Sequence, residues 1–337
     1  MSELLFVVEA SHSSGIGHLM RCLALAQAAE ERGLNSVFFV PEYAKDVCKA
    51  RHDWCGGIII AKPNDDATVA QIKEKIATQN AVALILDGYH FSDQFVSQLA
   101  LLPVPLVLLD DIENGICKYA DVIVNAAGEN LKNHYRVLNT NAQLCLGSQY
   151  RLLRREFRQT PVLPVSQRKS LTINFGGSDP KHFTLPVLKA ISESLANTPI
   201  RVVTGPGFIP LASLQHFIQQ SPSPIQHIHN CQDMADVWGH SRLTIAAAGG
   251  AQFELAACQS PSVLVVVADN QLNATREASQ QGWCDMWDAR KSLAIPQLVD
   301  KVVTLWNDEA RLEKMHMCAA QFSFVTGADT LLDTLNH

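Results

Sequence analysis

The feature that most constrains this chain is a recurrence of short, almost uninterrupted apolar runs, each separated from the next by a stretch with helical spacing. In the first half these runs are LLFVVEA (4–10), SVFFV (36–40), GIIIA (57–61), AVALILDGY (81–89), PLVLLDD (105–111) and DVIVNAA (121–127). A strand that faces water on one side alternates apolar with polar residues, whereas a strand buried on both sides need not. The runs therefore predict parallel strands covered by helices on both faces. A second series follows the polar, proline-bearing passage REFRQTPVLPVSQRKS (155–170): LTINFGG (171–177), IRVVTG (200–205), IQHIHN (225–230), LTIAAAGG (243–250) and SVLVVVA (262–268). The economical reading is an α/β chain of two Rossmann-like, doubly wound parallel-sheet domains, residues 1–160 and 168–337, with a helical tail from about residue 292. Ligands of such sheets sit beyond the carboxyl ends of the strands, here in an expected cleft between the domains.

Bulk properties remove several function classes. The chain has 337 residues, enough for two domains, with 47% hydrophobic and 18% charged residues, an ordinary globular balance. A net charge of -6 exerts no long-range pull on polyanions, so nucleic acid is not an expected partner. Nine cysteines (Cys22, Cys48, Cys55, Cys117, Cys145, Cys231, Cys258, Cys284, Cys318) form no C-x-x-C pair. They read as reduced thiols of a cytoplasmic protein, without a disulfide framework or zinc site. The N-terminus lacks a basic, cleavable leader, and no run of about 18 apolar residues follows, so no stable membrane insertion is expected. A monomer is the default expectation.

The richest local signal lies between the first apolar run and the first helical stretch, in SSGIGHLMRC (13–22). Gly15 and Gly17 permit a tight turn and close backbone approach. The helix beginning near Gly17 directs free N–H groups and its positive dipole end outward. That arrangement suits a phosphate-sized anion, although a G-x-G turn also serves simply to pack a helix on a strand. The dinucleotide fingerprint is absent: no third glycine stands at the required offset, and His18 occupies the motif. A helix N-terminus disfavours imidazolium, so His18 reads as a neutral imidazole ready to accept a proton, with a core-capping role as the bland alternative. Arg21 shares roughly the same helix face and either orients a carboxylate or makes a domain salt bridge. Asp87, at a strand end, is a less favoured base or a helix cap. Asp110 and Asp111 read as a solvated or capping pair rather than a metal site, His227 and His229 as structural, and Cys22 as packed.

Two further turns repeat the anion-ready pattern. NFGGSDP (174–180) brings Gly176, Gly177 and Ser178 to a strand end, and AAAGGAQFELAACQSPS (246–262) brings Gly249 and Gly250, with Glu254 about one helical turn later. A carboxylate there can accept two hydrogen bonds from a vicinal diol such as ribose, or merely complement the helix dipole. Three such turns jointly point to a small-molecule partner bearing a nucleotide diphosphate.

The segments GIGHLMRCLALA, DGY, DDIENGICKYADVIVN, LGSQYRLLRREF, NFGGSDP, AAGGAQFELAACQSPS and ADNQ occur in order from residue 15 to residue 271. Together they resemble the UDP-2,4-diacetamido-2,4,6-trideoxy-β-L-altropyranose hydrolases of pseudaminic (nonulosonic) acid biosynthesis and related polysaccharide proteins, within the glycosyltransferase-B superfamily. The resemblance implies hydrolysis of the anomeric C–O bond with inversion and without metal or cofactor, UDP held mainly by the C-terminal domain and the sugar facing the N-terminal one. It implies His18 as the group that orients or activates water, Tyr89 near the sugar and Asn270 as a polar active-site residue. Gly249, Gly250 and Glu254 match its UDP-binding segment, while Gln271 closes the ADNQ element. The chain departs from the family at VNAAG (124–128) and in lacking a basic residue after Tyr89, which leaves the sugar less defined than the nucleotide. A glycosyltransferase passing the sugar to another acceptor and a nucleotide-sugar binding protein are the competing readings.

Overall fold

The computed structural model describes residues 2–9 and 16–335. It contains a seven-stranded sheet of β1 (Ser2–Val8), β2 (Asn35–Val40), β3 (Gly57–Ile60), β4 (Asn80–Asp87), β5 (Leu106–Leu109), β6 (Val122–Asn125) and β7 (Gln143–Leu146), ordered β3-β2-β1-β4-β5-β6-β7. A six-stranded sheet follows, of β8 (Ser170–Asn174), β9 (Ile200–Thr204), β10 (Ile225–His229), β11 (Ser241–Ala247), β12 (Ser262–Val266) and β13 (Cys284–Asp288), ordered β10-β9-β8-β11-β12-β13. All the described pairings are parallel.

Two-sided burial explains the apolar runs. Along β1, Leu4, Phe6 and Val8 enter one core while Leu5 and Val7 enter another on the opposite face, and β4 divides the same way, Ala83 and Ile85 against Leu84 and Leu86. The helix Gly17–Glu31 covers the first of these faces with Leu19, Cys22, Leu23 and Ala26. It stops at Gly33, whose φ of 75° closes the helix through Gly33 N–H to Glu30 O and Leu34 N–H to Ala29 O, the left-handed glycine termination. In the second sheet, Leu171, Ile173, Leu243, Ile245, Val263 and Val265 build one core, whereas buried hydroxyls meet on other positions, Thr172 with Ser241 and Thr244 with Ser260.

Two strands lay outside the sequence-based expectation, β7 (QLCL) and β13 (CDMWD). Both are edge strands, paired on one side only, and neither has to read as a continuous apolar run.

The chain forms two compact units, one reaching to Arg158 and including the residues from Phe324 onward, the other Gln159–Ser323. The expected second domain, 168–337, is therefore corrected at its end. The helix Gly327–Leu335 buries Ala328, Leu331 and Leu332 in the core beneath the helix Gly17–Glu31. Arg32 pairs with Asp329 at 3.0 Å and with Asp333 at 2.5 Å. Gly327 is required where the helix begins, since a Cβ there would lie 2.2 Å from the Arg151 carbonyl oxygen.

Candidate functional site

In the first unit the strand order reverses between β1 and β4, and a polar cluster sits beyond the carboxyl ends of β1, β4 and β5. Its centre is Arg21, on the first helix. The guanidinium holds both oxygens of Asp87, Nε to Oδ2 at 2.6 Å and Nη2 to Oδ1 at 2.5 Å, and reaches Asp111 Oδ2 at 3.3 Å and the Leu109 carbonyl at 3.4 Å. Asp87 is fully buried. Burial alone would raise its carboxyl, but the charge of Arg21, then His18, and the paired hydrogen bonds hold it below the usual carboxylate range. A carboxylate so engaged is a poor base, which removes Asp87 from that role. Cys22 Sγ donates to Asp87 Oδ2 at 3.4 Å, and burial followed by the Asp87 charge pushes the thiol well up, so it packs and does not ionise.

His18, the second residue of the helix, is buried and its ring meets Tyr89 edge to face, centroids 4.5 Å apart. Its Nδ1 faces the Glu9 carbonyl oxygen at 3.3 Å. A carbonyl only accepts, so Nδ1 is the donor in this contact, a role it has in the Nδ1–H tautomer and in the imidazolium alike. Tyr89 O–H donates to Asp111 Oδ2 at 3.0 Å; burial, then the Asp111 charge, pushes its phenol up and keeps it a donor. Asp111 Oδ1 is buried and accepts no hydrogen bond among the described residues.

Glu9 was not singled out from sequence, yet it organises the turn after β4. Its Oε2 accepts from the Tyr89 and His90 N–H groups at 2.6 and 3.1 Å, and its Oε1 meets His90 Nδ1 at 2.6 Å. These contacts outweigh the rise that partial burial brings and lower its carboxyl. Gly88 makes room for it, because a Cβ there would lie 2.5 Å from Glu9 Cβ. Glu9 is the charged residue ending the first apolar run, a faint signal; its partners lie 80 positions away. Asp110 behaves as the expected capping acid, accepting from the N–H of Ile112, Glu113 and Asn114 and from Tyr135 O–H at 2.6 Å. Asn125, in the departing VNAAG segment, donates to that Tyr135 hydroxyl and accepts from Ala127 N–H, which makes it a brace for the loop. Gly15 lies outside the described residues; Gly17 opens the helix, and no described residue comes within 4 Å of where its Cβ would stand.

The second unit carries the other two turns at the carboxyl ends of β8 and β11, the pair at which its strand order reverses. Gly176 has φ 84° and open space around it, and Ser178 is partly exposed. Gly177 is closely approached: a Cβ on Gly205 would lie 2.5 Å from its Cα. Asp179 ends this loop as a helix cap, accepting from Phe183 and Thr184 N–H at 3.0 and 2.8 Å. Gly249 and Gly250 precede the helix Ala251–Ala257, Gly250 again facing open space. Glu254 is half-buried, with Oε2 accepting from Trp238 Nε1 at 3.1 Å, a partner the sequence did not reveal. Asn270 is exposed in the first turn of the helix Asp269–Gln280, and Gln271 Oε1 accepts from Val267 N–H at 2.9 Å, fixing the turn after β12. His227 and His229 share the Thr204 hydroxyl at 2.8 and 3.0 Å, a structural arrangement. All nine cysteines are free thiols, and among the described residues no three His, Cys, Asp or Glu side chains gather as a metal site. No helix among them is long and apolar enough to cross a membrane.

Two parallel-sheet α/β units, each with its polar turns at the switch in strand order, define the glycosyltransferase-B class of fold. The chain matches MurG of Acinetobacter baumannii with a TM-score of 0.68 at 14% identity, over 100% of this chain and 99% of that one. It matches a UDP-glucosyltransferase from Polygonum tinctorium with a TM-score of 0.66 at 10% identity, over 100% and 98%. For CalG4, the calicheamicin glycosyltransferase, the values are 0.62, 13%, 99% and 98%. In sequence it is 27% identical over 279 residues to an uncharacterized protein of Methanocaldococcus jannaschii, covering 80% of this chain and 56% of that protein. It is 24% identical over 276 residues to a Helicobacter pylori protein named pseudaminic acid cytidylyltransferase and UDP-2,4-diacetamido-2,4,6-trideoxy-beta-L-altropyranose hydrolase, covering 80% and 45%. The chain thus spans about half the length of the curated relatives it matches. No family model matches it.

Proposed function

We propose that the chain is a nucleotide-sugar hydrolase that cleaves the anomeric C–O bond of a UDP-linked 2,4-diacetamido-2,4,6-trideoxyhexose. The observation that carries this reading is the place of His18, buried at the start of the first helix at a strand-end switch point with Nδ1 facing the Glu9 carbonyl, a contact that in the neutral imidazole leaves Nε2 to accept a proton. In the proposed step, water attacks the anomeric carbon as its proton passes to His18 Nε2. The C–O bond to the diphosphate breaks with its electron pair leaving on UDP, and the sugar inverts. Tyr89, whose one O–H is given to Asp111, packs edge to face with His18 and positions the imidazole. In the second unit the turns Gly176–Ser178 and Gly249–Gly250 offer backbone N–H groups to meet the growing diphosphate charge. Glu254 takes the ribose, with Asn270 and Gln271 as polar contacts. The name of the Helicobacter pylori relative, which includes this hydrolase activity, supports the substrate class.

The test is UDP release from UDP-2,4-diacetamido-2,4,6-trideoxy-β-L-altropyranose in EDTA without an acceptor, comparing wild type with His18→Ala. Release that falls about 10²–10⁴-fold in the variant is expected. UDP binding without any release overturns the hydrolase reading in favour of transfer to an acceptor other than water, the activity named for several structures of like fold.

A further inference from the structure

We propose that the second unit carries an anion site at the amino-terminal end of its sheet, opposite the glycine turns, for a small phosphate or carboxylate borne on an apolar body. The proposal is independent of the nucleotide-sugar reading. A cavity of about 510 Å³ opens where four neighbouring strands begin. Lys169 leads into β8, Pro199 into β9, Pro224 into β10 and His240 into β11, so the sheet order itself gathers them. Arg201, second in β9, lines the same cavity beside Gln226, its register partner on β10.

The charge in this cavity is one-sided. No carboxylate lines it. Among the described residues neither Arg201 nor Lys169 makes an ion pair or a side-chain hydrogen bond, and Arg201 Nη1 is shielded from solvent without an acceptor. The neighbouring Arg168 shows what the chain does when an arginine is meant only to stay buried: carbonyls of Leu163 and Cys258 receive its guanidinium at 2.7 to 2.9 Å. A shielded guanidinium nitrogen left without an acceptor is costly, and an oxyanion is the partner that matches its planar fork. His240 Nδ1 is turned away by Asp236, meeting its carbonyl at 2.8 Å and its carboxylate Oδ1 at 3.1 Å, so the acid next to the cavity is engaged by His240 and not by Arg201 or Lys169. Pro199 and Pro224 supply apolar wall without N–H donors, and the volume lies within the range of about 300–1,000 Å³ typical of small-ligand pockets.

Calorimetric titration of the full chain with phenyl phosphate, benzoate and neutral benzyl alcohol tests the site, on wild type, Arg201→Met and Lys169→Met. The two anions separate a phosphate from a carboxylate preference. The expected result is saturable, salt-sensitive binding of one or both anions, weakened at least about tenfold in each variant with unchanged melting and undisturbed by saturating UDP. Should Arg201→Met fail to fold, Lys169→Met and hydrogen-exchange protection of residues 199–201 and 224–226 in wild type carry the test. Binding that survives in the variants or is displaced by UDP, equal binding of benzyl alcohol, or no saturable binding at millimolar concentration overturns the proposal.

Discussion

At the scale of single residues the decisive contact is Arg21 with Asp87. Asp87 is fully buried and Arg21 is 26% exposed, so removing the cation strands a charge with no route to water. Arg21→Met is expected to cost about 3 kcal/mol, read from urea midpoints, and Asp87→Asn in the same chain to recover part of that loss. The pH dependence has a definite sign. Because the folded state holds the Asp87 carboxyl below its ordinary value, its contribution is complete above the unfolded pKa of about 3.9 and fades as pH falls through the lower folded value. The melting temperature of wild type should therefore drop more steeply below about pH 4 than that of the Arg21→Met, Asp87→Asn double variant. Equal slopes would show that the pair contributes nothing to acid stability. Sequence made Arg21, Asp87 and His18 visible as candidates through their place beside glycines and strand ends. Their pairing, and the part played by Glu9 and Asp111, rests on contacts across 66 to 90 positions that no local pattern encodes.

At the scale of elements, the glycine turns separate into those that serve packing and those with room for a ligand. Gly205 faces the Gly177 backbone at 2.5 Å from a would-be Cβ, a contact that backbone cannot yield. Gly250, at φ −54°, meets nothing within 4 Å. Gly205→Ala should therefore lower stability by roughly 1–3 kcal/mol, seen in thermal melts, through overpacking. Gly250→Ala should leave the melt unchanged while weakening UDP binding measured by calorimetry, if a diphosphate approaches that backbone. Loss of stability rather than of affinity in Gly250→Ala would assign the turn to packing. Asp179 belongs to the same scale: its φ of 46° suits Asp or Asn but its two oxygens each take an N–H, so Asp179→Ala should cost about 1–3 kcal/mol and Asp179→Asn, which keeps one acceptor oxygen, an intermediate amount. The strand-end positions of these turns were legible because apolar runs and glycine pairs are local signals. Trp238 beneath Glu254 was not, since the two meet only when the helices carrying them pack together.

At the scale of the whole molecule, the last helix belongs with the first unit. Leu331 is fully buried there, so Leu331→Ala should destabilise that unit by about 2–5 kcal/mol, visible as faster hydrogen exchange in residues 17–31 with little change in 159–323. A change confined to the second unit would refute this placement. The sequence by itself determined the class of architecture: strands buried on both faces must be apolar along their length, and parallel neighbours require helical crossovers, so the pattern of runs is a direct imprint of the fold. It also marked the polar turns, because glycine pairs at the ends of apolar runs are a local signal, even though Asp179 turns left-handed in one of them without being glycine. The tertiary structure alone decided which carboxylate faces Arg21, which nitrogen of His18 faces the Glu9 carbonyl, and to which unit the final helix returns. Those choices follow from strand order, above all from β4 lying beside β1, and strand order is set by the joint packing of the whole sheet rather than by any segment within it.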